Sequence, residues 1–322
     1  MVYQKKITFI TSSALSAIIF FFHSSSCTQP ISETKSDSTQ QQLWYGPNKY
    51  QMKPEDSLVR LGYDIIERTY AYYGPKGKIA AITNGMNCSN CHPSGGIVPW
   101  GNNFGAVIVS YPKFSYRSGA QLTLCGRIND CFERSLNGKA IDSNSHEMKA
   151  ILAYMHWLAG DVTTKPAGSG IMKLKYLDRA ADTTKGKLVF VTTCTRCHGS
   201  NGEGKPNDYG GFIYPPLWGD KSYNTGAGMC RLSMLSGFIK NNMPFDQASY
   251  NHPVLSDEQA WDVAAYIDSK PRPLIKNKKD YPDISKKEID NPTGPYSDTF
   301  PEQQHKYGPF SPIAQTHASQ NK

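Results

Sequence analysis

Two pentapeptides carry the chemistry that can be read first: Cys88-Ser89-Asn90-Cys91-His92 and Cys194-Thr195-Arg196-Cys197-His198. Two thiols three residues apart sit on one helical turn and reach both vinyl groups of a porphyrin, and the next imidazole then faces the iron. A thioredoxin-type dithiol or half a zinc site uses the same cysteine spacing. Neither explains the adjacent histidine or the duplication. The strings therefore predict two covalently bound haem c groups, attached through Cys88, Cys91, Cys194 and Cys197. His92 and His198 are the proximal metal ligands.

The sixth iron ligands separate a carrier from an enzyme. For the second haem, Asn241-Asn242-Met243-Pro244 places a thioether forty-five residues after His198, before the last helix. Met243 is the expected ligand, with Met229 in reserve and Met234 also available. For the first haem the residues leave several candidates: Cys125, Cys131, His146, Met148, Met155 and His156. Spacing favours Met148 or Met155, but both lie in an apolar helical stretch where methionine is ordinarily core. Cys131 lies in Arg127-Ile128-Asn129-Asp130-Cys131-Phe132-Glu133-Arg134-Ser135, and on a helix Arg127, Cys131, Arg134 and Ser135 share a face. Neighbouring arginines favour a thiolate. A Cys125–Cys131 disulfide is the structural alternative.

Positioning these groups requires helices before and after each string. Leu61–Ile66 and Lys185–Phe190 read as the entering helices, and 147–158 (EMKAILAYMHWL) and 257–269 (DEQAWDVAAYIDS) as the following ones. Both of the latter have apolar residues at i, i+3, i+4 spacing. The expected fold is all-α, two tandem cytochrome c domains at 44–162 and 184–275. Residues 163–183 read as a linker and 276–322 as a tail that wraps the surface or is disordered. Each small core gains a large apolar face from its porphyrin.

The chain has 322 residues, 39% hydrophobic, with a net charge of +8, which excludes a polytopic membrane protein. Lys5 and Lys6, the apolar run 7–22 and Ser24–Ser26 describe a secretory signal over residues 1–27. Cys27 is a candidate lipid acceptor, and 28–43 a polar tether. The protein is expected to be periplasmic or otherwise exported, and tethered to a membrane through Cys27 if that residue carries lipid. The mild positive charge lacks basic runs interleaved with aromatics, so no nucleic acid partner is expected.

The strings 82–92 (ITNGMNCSNCH), 111–119 (YPKFSYRSG), 127–140 (RINDCFERSLNGKA), 223–231 (YNTGAGMCR) and 238–244 (FIKNNMP) resemble the dihaem cytochrome c thiosulfate dehydrogenases over about residues 45–275. The resemblance implies an enzyme that joins two thiosulfates into tetrathionate at a His92/Cys131-ligated haem, with Arg117 and Arg127 as catalytic partners of Cys131. It implies that the second haem, with His198 and Met243, passes electrons to an external acceptor such as a small cytochrome c. In that family a lysine can take the second haem's sixth position; here Lys240 is near, but Asn242 directly precedes Met243. Arg134 and Ser135 are further candidates, and Cys125 and Cys230 could bridge the halves. The rivals are a dihaem carrier without a substrate, a haem enzyme coupling thiosulfate to a carrier protein's cysteine, and a dihaem peroxidase.

Overall fold

The computed structural model describes residues 43–47, 49–275 and 279–320. The signal, Cys27 and nearly all of the tether lie outside them. Among the described residues no helix is long and apolar enough to cross a membrane.

Each half is built on one crossing of two helices. In the first, Ser57–Glu67 packs on His146–Ala159; in the second, Thr183–Val189 packs on Asp257–Asp268. The two crossings repeat each other atom for atom. A Cβ on Gly62 would lie 2.0 Å from the Ala150 carbonyl oxygen and 2.8 Å from Tyr154 Cβ. A Cβ on Gly186 would lie 1.9 Å from the Asp262 carbonyl oxygen and 2.9 Å from Tyr266 Cβ. Glycine is required there for close approach of two backbones, not for its φ. Gly62→Ala and Gly186→Ala are each expected to destabilise the protein by about 1–3 kcal/mol or more, because the helices must separate to admit the methyl group. Thermal unfolding of the haem-loaded protein measures this, and an unchanged midpoint would contradict it.

The long helices that follow each haem string begin with side-chain caps. Ser145 Oγ accepts from Met148 N at 3.1 Å, and Ser256 Oγ accepts from Gln259 N at 3.2 Å while Gln259 answers to the Ser256 N–H. Met148 and Met155, spacing candidates for the first haem, are core residues with 0% and 5% exposure. They pack with Ile65, Ile66, Phe132, Ile151 and Tyr154. The second core holds Phe190, Leu232, Trp261 and Val263. Among the described residues the strand pairs are two small antiparallel hairpins, Lys113–Ser115 with Ala120–Leu122 and Lys205–Pro206 with Phe212–Tyr214.

The connection and the tail do more than their composition suggests. In the 163–183 stretch, Gly168 O accepts from Trp100 N, Gly170 O accepts from Asn102 N, and Leu174, Tyr176 and Leu177 pack on the second core. The tail folds into helices Glu302–Tyr307 and Ser311–Gln320 and buries Phe310 and Ile313 in that same core. Polar composition hid this, because a few apolar anchors suffice to dock a segment. Asn224, 2% exposed, joins the halves. Its amide donates to Glu133 O and Asn137 Oδ1, and its backbone N–H donates to Arg134 O.

Candidate functional site

The second haem string lies on a continuous helical path. Thr183–Val189 runs through a π turn, Phe190–Cys194, into Thr195–His198. Such turns mark functional sites because the extra residue re-aims side chains. Cys194, Cys197 and His198 line a cavity of about 430 Å³ with Leu235, Phe238, Ile239, Val263, Ile267 and Met243. His198 Nδ1 donates to Pro215 O at 2.9 Å, which leaves Nε2 as the lone-pair nitrogen. Met243 follows helix Leu232–Asn242, as the sequence places it, and shares the cavity with His198. Lys240 points elsewhere: its Nζ donates to Leu255 O at 2.7 Å and pairs with Asp257 Oδ1 at 2.8 Å. Met229 and Met234 line another cavity, one that His92 also lines, and Met229 is not among the residues around His198.

The first string is held differently. A 3-10 turn, Cys88–Asn90, is pinned by Thr69, whose Oγ1 accepts from Cys88 N at 3.1 Å. After His92 the backbone turns through Ser94, Gly95 and Gly96, all at positive φ. There a Cβ on Gly96 would lie 2.2 Å from the Phe104 ring, and Tyr154 Oη donates to Gly95 O at 2.9 Å. His92 Nδ1 donates to Asn102 O, again freeing Nε2, and burial lowers its pKa to about 4. Cys88, Cys91, His92 and Cys131 border one apolar space with Phe104, Ile128, Phe132 and Met155. That space adjoins a cavity of about 510 Å³ lined by Cys91, His92, Cys131, Arg117 and Arg127. Cys131 stands on helix Leu124–Arg134, capped by Thr123. Arg127 Nη1 donates to its sulfur at 3.1 Å.

The sulfur environments fit haem c. Burial pushes the Cys88 and Cys91 thiols up to about 12, so their surroundings accept neutral sulfur, as a thioether is. Beside Cys131 stands the buried guanidinium of Arg127, 3.1 Å from its sulfur. That setting suits an anionic sulfur. Cys125, Cys131 and Cys230 are all free thiols, so neither disulfide considered for them is formed.

Residues 183–271 match the family described as Cytochrome c, and residues 78–162 that described as SoxA/TsdA, cytochrome c domain. Thiosulfate dehydrogenase of Psychrobacter arcticus is 43% identical over 240 residues, 71% of this chain and 69% of its own. That of Allochromatium vinosum is 40% identical over 67% of this chain and 80% of its own. This chain belongs to the thiosulfate dehydrogenase family. A solved thiosulfate dehydrogenase (TsdBA) from Marichromatium purpuratum superposes with a TM-score of 0.66 at 31% identity, over 73% of this chain. The match spans about half the length of that relative, 51%.

In this thiosulfate dehydrogenase family member the two cavities share a wall. Asn87, Ser89, Asn90, Pro93 and Ser94, interleaved with the first haem string, line the second cavity. Arg117, at the turn after Lys113–Ser115, donates from Nη1 to Gly226 O at 3.1 Å and from Nε to Tyr281 Oη at 3.3 Å. Arg134 and Ser135 reach the first cavity, but the Arg134 guanidinium is clamped by Asp280 at 2.7 and 2.8 Å. Among the lining residues that come from beyond the first domain and were not singled out by sequence are Arg231, Tyr281, Lys286 and Glu288. The string 223–231 was their only signal, and it covers Arg231 alone.

Proposed function

We propose that the chain oxidises two thiosulfate ions to tetrathionate at the first cavity and delivers the electrons through the second to an external acceptor, such as a small cytochrome c. The observation that carries this is Cys131 beside Arg127, in one cavity with His92 and Arg117. The first haem would be held by Cys88, Cys91, His92 and Cys131, and the second by Cys194, Cys197, His198 and Met243. When bound, the two haems supply one-electron sinks, together enough for the two electrons that the substrate pair gives up.

The residues do the rest. Arg117 and Arg127 bring dianions together through charge-assisted hydrogen bonds in a site screened from water. The Cys131 thiolate joins the sulfane sulfur of one thiosulfate, two electrons leaving as the S–S bond forms. The sulfane sulfur of the second thiosulfate attacks the adduct at its sulfane sulfur. Tetrathionate departs and the Cys131 thiolate is restored. Run backwards with electrons supplied, the same bonds reduce tetrathionate. The signal and Cys27 support an exported protein, tethered if Cys27 carries lipid.

Purified holoprotein with thiosulfate and ferricyanide is expected to form tetrathionate. Intact haems without tetrathionate would leave only an electron carrier. Met243→Ala is expected to remove the thioether signature from the second haem's spectrum and lower its potential. Lys240→Ala is expected to leave that spectrum unchanged, and a shift on removing Lys240 would contradict the ligand assignment.

A further inference from the structure

The first cavity must neutralise two dianions; Lys113 and Lys286 line it too, but its arginines, whose planar forks suit oxyanions, are not equally available. Arg134 is committed to Asp280 and Asp130. Arg127 is committed to the Cys131 sulfur. Arg231 differs. It comes from the second domain, directly before helix Leu232–Asn242, and reaches the first domain's cavity. Its Nη1 pairs with Glu288 Oε1 at 3.0 Å, but its buried Nε has no hydrogen-bond partner. A buried donor without an acceptor calls for one, and an incoming oxyanion supplies it.

Arg231 also lines a second cavity of about 340 Å³, together with Arg117, Lys279, Tyr281 and Lys287. The carboxylate in that wall, Asp280, is already neutralised by Arg134. A network links Arg117 to Arg231: Arg117 Nε donates to Tyr281 Oη, Tyr281 donates to Glu288, and Glu288 pairs with Arg231. Burial opposes ionisation of Glu288, yet Arg231 and the Tyr281 hydroxyl hold its pKa below the usual value. It therefore serves as a fixed counter-ion that sets where both guanidinium groups point.

We propose that Arg231 is an additional substrate-binding residue that seats the second thiosulfate dianion, and that Tyr281 and Glu288 are positioning residues for Arg231 and Arg117. This rests on the functional reading above. It makes the second domain and the C-terminal segment parts of the catalytic cavity. A porphyrin propionate offers the same oxyanion chemistry as thiosulfate, so the test must separate the two.

The test compares full-length holoprotein carrying Arg231→Gln, Arg231→Lys or Tyr281→Phe with wild type, by rate against thiosulfate concentration and by redox titration of the first haem. Arg231→Gln is expected to raise KM about 10- to 100-fold with kcat changed less than about threefold, the loss of one charge-assisted contact. Arg231→Lys restores part of the loss, because it keeps the charge without the planar fork. Tyr281→Phe gives a smaller rise in KM, and the first haem's potential stays at the wild-type value in all three. If Arg231→Gln fails to load haem, the Lys and Phe variants carry the same comparison. An unmoved KM overturns the proposal, and a shifted potential with an unmoved KM assigns Arg231 to a propionate. A wild type that forms no tetrathionate sinks the functional reading and this inference with it; an active wild type with neutral variants sinks the inference alone.

Discussion

Cys131→Ala is expected to lower tetrathionate formation by roughly 10³-fold or more while both haems remain covalently attached. The residue is in neither haem string, so attachment chemistry is untouched. Its helix, Leu124–Arg134, is secured by other contacts: Phe132 is fully buried, Ile128 is 7% exposed, and Arg134 is clamped by Asp280. Alanine favours the helix. What disappears is the one thiol that shares a cavity with His92 while standing 3.1 Å from a buried guanidinium. Two further readouts separate chemistry from folding. The ferric low-spin His/thiolate signal of the first haem should vanish, and the second haem's spectrum should persist. Activity above a tenth of wild type would show that the sulfur is not used.

The parts of this molecule that were legible in the sequence are those whose cause is local. Each CxxCH string, each apolar helix and the Met243-Pro244 loop depend on neighbours within a few residues, and each falls where its pattern puts it. The glycine crossings could be read only in part. Gly62 and Gly186 lie in similar strings, but nothing local shows that Ala150 and Asp262 bring carbonyl oxygens against them. Long-range placement was not legible. Met229 stands in reserve for Met243 on sequence, yet the 224–231 loop turns toward the other cavity, where Asn224 is tied to Glu133 and Arg134. A shared helix face groups Arg134 with Arg127 and Cys131. It could not show that Asp280, 146 residues away, would occupy that guanidinium. Tyr281 and Glu288 lie in a tail whose composition gave no reason to look for site residues.

That difference between two arginines on one helix leads to a paired prediction. Arg127→Gln is expected to reduce kcat/KM for thiosulfate by about 10²–10³, the cost of removing one preorganised donor from a developing charge. Arg127 is one helical turn before Cys131 and donates to its sulfur at 3.1 Å. Glutamine keeps a donor but removes the charge, so the cavity loses counter-charge for both the Cys131 thiolate and the incoming dianion. Arg134→Gln is expected to behave oppositely. Its side chain is 5% exposed and paired with Asp280, so its loss strands a partly buried carboxylate. Destabilisation of roughly 3 kcal/mol, with KM moved less than about threefold, is the expected result. Thermal unfolding and steady-state kinetics on both variants decide the matter. If Arg134→Gln raised KM as far as Arg127→Gln lowered kcat/KM, the guanidinium clamped by Asp280 would be a substrate contact. The division of the four arginines between structure and catalysis would then have to be redrawn.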